Sequence, residues 1–255
     1  MKEFNVDDWV MGGYDEQLEI VAPLVEERID KGWEVPISTK YIKDKKMDYQ
    51  VLPLITLYSR RTDGEEHRYL YENGQDSLTS NINEMEKLSG RKKRNIKNAV
   101  KKLTECDNEV VEIATDSEGR IYYKIIPKTI DKGIKKFVTI DSNQLEFLIN
   151  TGNSNVIKTY CMIKVFLWDD KQCKYIKRPL TKDFLLKQIG MSVCKNNLDK
   201  MGEILQSLEN NGYIKREKTI DKVFTNDRVV VKTTYTYELT SYEEWARKNR
   251  KDTKK

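Results

Sequence analysis

Apolar positions along this chain recur with two periods, one helical and one alternating, and the two periods change over in a fixed order. Residues 14–31 place Leu18, Val21, Leu24, Val25 and Ile29 at three- and four-residue spacing, which predicts an amphipathic helix stopped at Gly32 and kinked or delayed by Pro23. From residue 47 a helix is predicted through Tyr49, Val51, Leu52, Leu54, Ile55 and Leu57, with Pro53 in its first turn. A short extended piece follows at 69–71. A second helix carries Ile82, Met85 and Leu88, capped by Thr79 or Ser80, and a third runs from about 91 to 103 after the Ser89-Gly90 turn. Strands at 110–113 and 121–126 flank Asp116-Ser117-Glu118-Gly119, which has hairpin chemistry.

The same succession returns between about 137 and 239. A strand at 137–140 leads to Asp141 as N-cap of a short helix with Leu145, Phe147 and Leu148. The main helix spans 155–168, with Val156, Tyr160, Ile163, Phe166 and Leu167 on one side, and a short strand follows at 175–178. Thr181 caps a helix with Phe184, Leu185 and Ile189; Gly190-Met191-Ser192 is the turn; Leu198, Met201, Leu205 and Leu208 mark a third helix ending at Asn211-Gly212. Strands at 213–218 and 229–238 close the unit, with Asn226-Asp227 near the hairpin tip. The fold class expected is α+β, mainly helical, with an acidic N-terminal segment (1–45), two similar units (46–130 and 131–240) and a basic C-terminal tail (241–255).

The repeat is one of pattern rather than of residue identity. Its order, as carried by SNINEMEKLSGRKKRNIKNAVKKL in the first unit and LTKDFLLKQIGMSVCKNNLDKMGEILQSLENNGYIKRE in the second, resembles the winged helix-turn-helix. The doubled arrangement, with a short linker near 128–136, resembles the iteron-binding replication initiators of plasmids and some phages. That resemblance implies sequence-specific binding of double-stranded DNA, with two recognition helices entering successive major-groove faces of one site. A transcriptional or partition regulator of a mobile element, and a protein-interaction scaffold that binds no DNA, are the other readings open at this point. Beyond duplex DNA, a second copy of the chain and replication or partition proteins remain open as partners.

Composition sharpens this picture. Charged residues make up 34% of the 255 positions and the net charge is +5, yet the first 35 residues hold ten acidic and three basic side chains. The positive charge therefore belongs to the body of the chain, which suits a polyanion-binding protein or a merely solvated surface. The run Arg91–Lys102 has seven basic residues and no acidic one, with Ile96, Ala99, Val100 and Leu103 on its core side. Arg91, Lys92, Lys93, Arg94, Lys97 and Lys101 are the candidate DNA contacts there: Arg reads guanine edges and Lys neutralises phosphate. Cations at a helix N-terminus oppose the helix dipole by ~0.3–1 kcal/mol each, so selection for stability alone disfavours them. In the second unit Ser192, Lys195, Asn196 and Asn197 hold the matching positions, in a helix of mixed charge where base reading and partner packing compete. The second hairpin adds Lys215, Arg216 and Arg228 as candidates; the first, with its acidic tip, is expected to stay off the backbone. The tail is read first as a disordered solubilising end and otherwise as a non-specific grip.

Enzyme chemistry finds no foothold. There is no P-loop, no G-x-G-x-x-G and no G-x-S-x-G, and His67 is the one histidine. The four cysteines (Cys106, Cys161, Cys173, Cys194) include no C-x-x-C pair, so no zinc site is expected and no cofactor is called for. They read as reduced cytoplasmic thiols, Cys161 and Cys194 at packed helical positions. No apolar run has the length of a membrane span, and the acidic N-terminus is unlike a signal peptide.

Overall fold

The computed structural model describes residues 31–61, 67–105, 109–225 and 228–250. The expected helix at 14–31 lies outside the described residues except for its last position, as does the expected hairpin tip at Asn226-Asp227. From Lys31 onward the chain is one compact mixed α/β unit. Its first half runs β1 (Glu34–Ser38), α1 (Val51–Tyr58), β2 (Arg60–Arg61), β3 (Arg68–Tyr71), α2 (Leu78–Ser89), α3 (Lys93–Glu105), β4 (Val111–Thr115) and β5 (Ile121–Ile125). A small hairpin, β6 (Ile130–Asp131) and β7 (Ile134–Lys135), occupies the expected linker. The second half runs β8 (Phe137–Asp141), α4 (Ser142–Thr151), α5 (Ser154–Leu167), β9 (Trp168–Asp169), β10 (Lys174–Tyr175), β11 (Arg178–Pro179), α6 (Lys182–Gln188), α7 (Lys195–Asn210), β12 (Ile214–Thr225), β13 (Arg228–Leu239) and α8 (Tyr242–Arg250).

Local chemistry accounts for most element ends. Asp141 accepts from the amides of Asn143 and Gln144, and the Thr181 hydroxyl accepts from the Phe184 amide, so both act as the caps their sequence context predicts. The cap of α2 is Ser77 rather than Thr79 or Ser80: Ser77 and Ser80 bond reciprocally, side chain to backbone, and Gly90 at φ 66° ends the helix. The extended stretch expected at 175–178 is two pieces, β10 pairing back on β9 and β11 joining the long hairpin.

Both halves build an antiparallel sheet with the same inner order. The strand before the helix pair bonds the second strand of the hairpin, giving β3-β5-β4 (with β2 outside β3) and β11-β13-β12. Among the connections between the halves, two stand out. Strand β1 pairs with β8, Val35 opposite Ile140 and Ile37 opposite Val138, all four buried. The buried Gln50 amide donates to the carbonyls of Ser89 (3.3 Å), Ile149 (3.2 Å) and Gly152 (3.3 Å), tying the ends of α2 and α4.

The tail departs from the sequence expectation. Residues 242–250 are helical, and Tyr242, Trp245 and Ala246 are buried, with Trp245 against Phe147 and Tyr213. A few large apolar groups at helical spacing dock this segment despite its charge. Cys161 is buried, and burial pushes its thiol up to about 12, whereas Cys194 is exposed at the N-cap of α7 rather than packed. Among the described residues, no helix is long and apolar enough to cross a membrane.

Candidate nucleic-acid interface

Helix α3 sorts its residues by side. Ile96, Ala99, Val100 and Leu103 are buried, an i, i+3, i+4, i+7 spacing that fixes one face on the core. Lys92, Lys93, Arg94, Lys97 and Lys101 are exposed. Lys93 lies 3.9 Å from Glu86 and Lys101 lies 3.8 Å from Glu105, both pairs solvated and at the limit of ion pairing. Such pairs stabilise by ~0–1 kcal/mol and leave the cations available. Lys92, Arg94 and Lys97 have no ion-pair partner among the described residues. The result is a cationic face about three helical turns long.

Arg91, by contrast, is spent inside the protein. Its Nη1 and Nη2 donate to the two Asp48 oxygens (2.5 and 3.2 Å), and its Nε donates to Gln50 Oε1 (2.7 Å). Three of its five N–H donors are thereby engaged at the junction between the halves. Sequence position made Arg91 look equivalent to Lys92 and Arg94; its partners, 41 and 43 residues away, make it a strut.

The second unit's candidates divide in the same manner. Ser192, Lys195 and Asn196 are exposed at the start of α7. The Asn197 amide donates to the Ser192 carbonyl (2.8 Å) and hydroxyl (3.1 Å), so it shapes the turn. Lys215 bonds both carboxylate oxygens of Glu244 on α8 at 2.9 Å, an interaction that raises the lysine pKa and lowers that of Glu244. Arg216 pairs with Glu209 and donates to Gln206 (2.8 Å), with its side chain only 12% exposed. Arg228 opens β13 opposite Thr225, and its side chain lies outside the described residues. At the first hairpin tip Asp116 accepts from the amides of Glu118 and Arg120 and from the Arg120 side chain; these bonds hold its carboxyl below the usual range.

The structure also exposes cations that helix periodicity does not single out. Lys43, Lys45 and Lys46 are exposed on the loop between β1 and α1. Their signal in the sequence is the run KYIKDKK at 40–46, four lysines in seven residues. Lys40 of the same run is committed to Glu109, which raises its pKa. Among the described residues no three His, Cys, Asp or Glu side chains cluster to hold a metal ion. No protein-family model matches the chain, and no curated protein matches it.

Proposed function

We propose that this chain binds double-stranded DNA in a sequence-specific manner through two tandem winged helix-turn-helix units, in the cytoplasm, as the replication initiator of a plasmid or phage. The observation that carries the DNA reading is the face of α3: five exposed cations, three without an ion-pair partner, on a helix whose other side is anchored in the core. The winged-helix reading is supported by the twofold order of helix, strand, helix, helix and hairpin and by the shared strand orders β3-β5-β4 and β11-β13-β12. In this reading α3 and α7 are the recognition helices, α3 supplying phosphate neutralisation and α7 supplying the polar groups of Ser192 and Asn196. The initiator role rests on the resemblance of the doubled arrangement and is the finer part of the proposal.

The test is duplex binding as a function of salt. Wild-type affinity falls as salt rises, and Lys92→Ala/Arg94→Ala/Lys97→Ala reduces the slope of log K against log salt by about 2.7, 0.9 for each lost phosphate contact. Absence of binding at low salt, or affinity indifferent to salt, overturns the reading. Fragments selected from the source genome then separate roles: direct repeats that support replication of a plasmid carrying this gene are expected, and an inverted repeat over a promoter points instead to a regulator.

A further inference from the structure

Beside the exposed face of α3 lies an open groove of about 1030 Å³ whose walls come from both halves of the chain. Asn95, Asn98 and Lys102 line it from α3, Lys158 from α5, Lys45 and Lys46 from the loop after β1, and the turn 189–191 that leads into α7 closes the far side. Its charge is positive. Of its two carboxylates, Asp48 is occupied by Arg91 and Glu105 lies 3.8 Å from Lys101. Lys158 is 5% exposed; its ammonium donates to the Asp44 carbonyl at 3.0 Å and sits 5.3 Å from the Tyr49 ring centroid, with no carboxylate in ion-pairing range among the described residues. Burial lowers its pKa although the Asp44 and Asp48 carboxylates favour its charge through space, and an anion arriving in the groove favours that charge further.

The groove is held in shape by a close approach. Gly190 has φ +77°, and a Cβ on it would stand 2.4 Å from the Lys43 carbonyl oxygen. Only glycine lets the turn before α7 seat the lysine loop this closely. The second half thus positions a basic loop that belongs to the first.

We propose that one phosphodiester strand of the bound duplex runs in this groove, with Lys45 and Lys46 on its phosphates and the Asn95 and Asn98 amides on the same strand. The proposal rests on the DNA-binding reading and goes beyond it by adding a strand seat that neither recognition helix supplies alone. Dimensions agree. From Asn95 to Lys102 the helix rises ~10 Å at 1.5 Å per residue, a length that seats about two phosphates of one strand. The groove borders the cationic face of the same helix. A merely diffuse positive field would use the lysines and not the neutral amides, which gives the proposal its separate handle.

The experiment titrates the full chain against a labelled random-sequence duplex of about 40 base pairs, several helical turns, from about 50 to about 200 mM salt. Lys45→Ala/Lys46→Ala removes two phosphate contacts, so the slope falls by about 1.8 and its affinity deficit shrinks about 12-fold across that salt range. Asn95→Ala/Asn98→Ala changes no charge: affinity drops several-fold with the slope unchanged. Both sites are on the surface, and an unchanged thermal midpoint certifies the fold. An unchanged slope in the lysine variant, or wild-type affinity in the asparagine variant, overturns the strand seat. If the Lys92/Arg94/Lys97 variant still loses its slope in that case, the DNA reading survives; if wild type itself does not bind, both fall.

Discussion

Replacing Arg91 with alanine separates architecture from DNA contact. The guanidinium makes two charge-assisted bonds to Asp48 and one to Gln50, whose own amide bonds three carbonyls across the junction. A hydrogen bond to a charged group contributes ~1.5–3 kcal/mol when well shielded. Here the two side chains are 27% and 23% exposed, so solvent screening reduces the gain. Asp48 also keeps two other partners after the change, the amides of Gln50 (2.9 Å) and Val51 (3.3 Å) at the start of α1. A net loss of about 2 kcal/mol follows, chiefly from Gln50 Oε1 left without its donor and from the lost ion pair. For a unit of this size each kcal/mol moves the midpoint ~2–4 °C, so Arg91→Ala melts ~4–8 °C lower. Arg91→Lys recovers less than half, because an ammonium cannot bridge both Asp48 oxygens and Gln50. The assays are circular-dichroism melting and a salt-dependent DNA titration well below the variant's midpoint, where its slope stays that of wild type. A midpoint within about 1 °C of wild type combined with a reduced slope refutes the argument and makes Arg91 a DNA contact after all.

Other outcomes follow from the same geometry. Trp245→Ala leaves a hole among Phe147, Tyr213 and Tyr242 and costs ~3–5 kcal/mol; urea unfolding checks it, and a loss under about 1 kcal/mol means α8 is not part of the core. Gly190→Ala combines a left-handed backbone with a clash on Lys43 and costs ~2–4 kcal/mol, whereas Gly119→Ala, also at positive φ but with nothing within 4 Å, costs ~1 kcal/mol; equal melting losses would show that the contact with Lys43 carries no energy. Asp141 is buried, one of its oxygens lacks a partner among the described residues, and burial raises its carboxyl pKa despite its two amide donors. The native state therefore holds the proton more tightly than the unfolded chain, and this group's contribution to stability falls as pH rises from 3.8 through the raised value. Asp141→Asn keeps the capping acceptor and removes the charge, so stability of the variant relative to wild type is greater near neutrality than in acid; melting curves across that range showing no such trend refute it.

What the sequence made legible is what short-range physics decides. Helices α1, α2, α3, α5 and α7 follow from apolar spacing, and the caps at Asp141 and Thr181 need only the next three residues. The Ser77 cap was missed because its partner at the third position is Ser80, not the Glu or Gln of the usual box. Strand β1 is illegible for a different reason: EVPIS is short, contains Pro36, and pairs with β8 about a hundred residues downstream. Helix α8 hid behind its charges, since three apolar residues in nine give a weak period that only Phe147 and Tyr213 complete. The site shows the same division. A run of cations in sequence says which helix is basic, but whether each cation is available depends on carboxylates that the run does not contain. Arg91 is taken by Asp48, Arg216 by Glu209 and Lys215 by Glu244, while Lys92, Arg94 and Lys97 are left to solvent. Of the candidate arginines whose side chains are described, the fold engages Arg91 and Arg216 and leaves Arg94 to solvent. On the DNA-binding reading, sequence discrimination falls to the neutral amide of Asn196 at the start of α7, and the cations of α3 set affinity. On that reading, exchanging a cation of α3, or Asn95 or Asn98 beside the strand, should therefore shift binding equally on every duplex, and exchanging Asn196 should change which duplex is preferred.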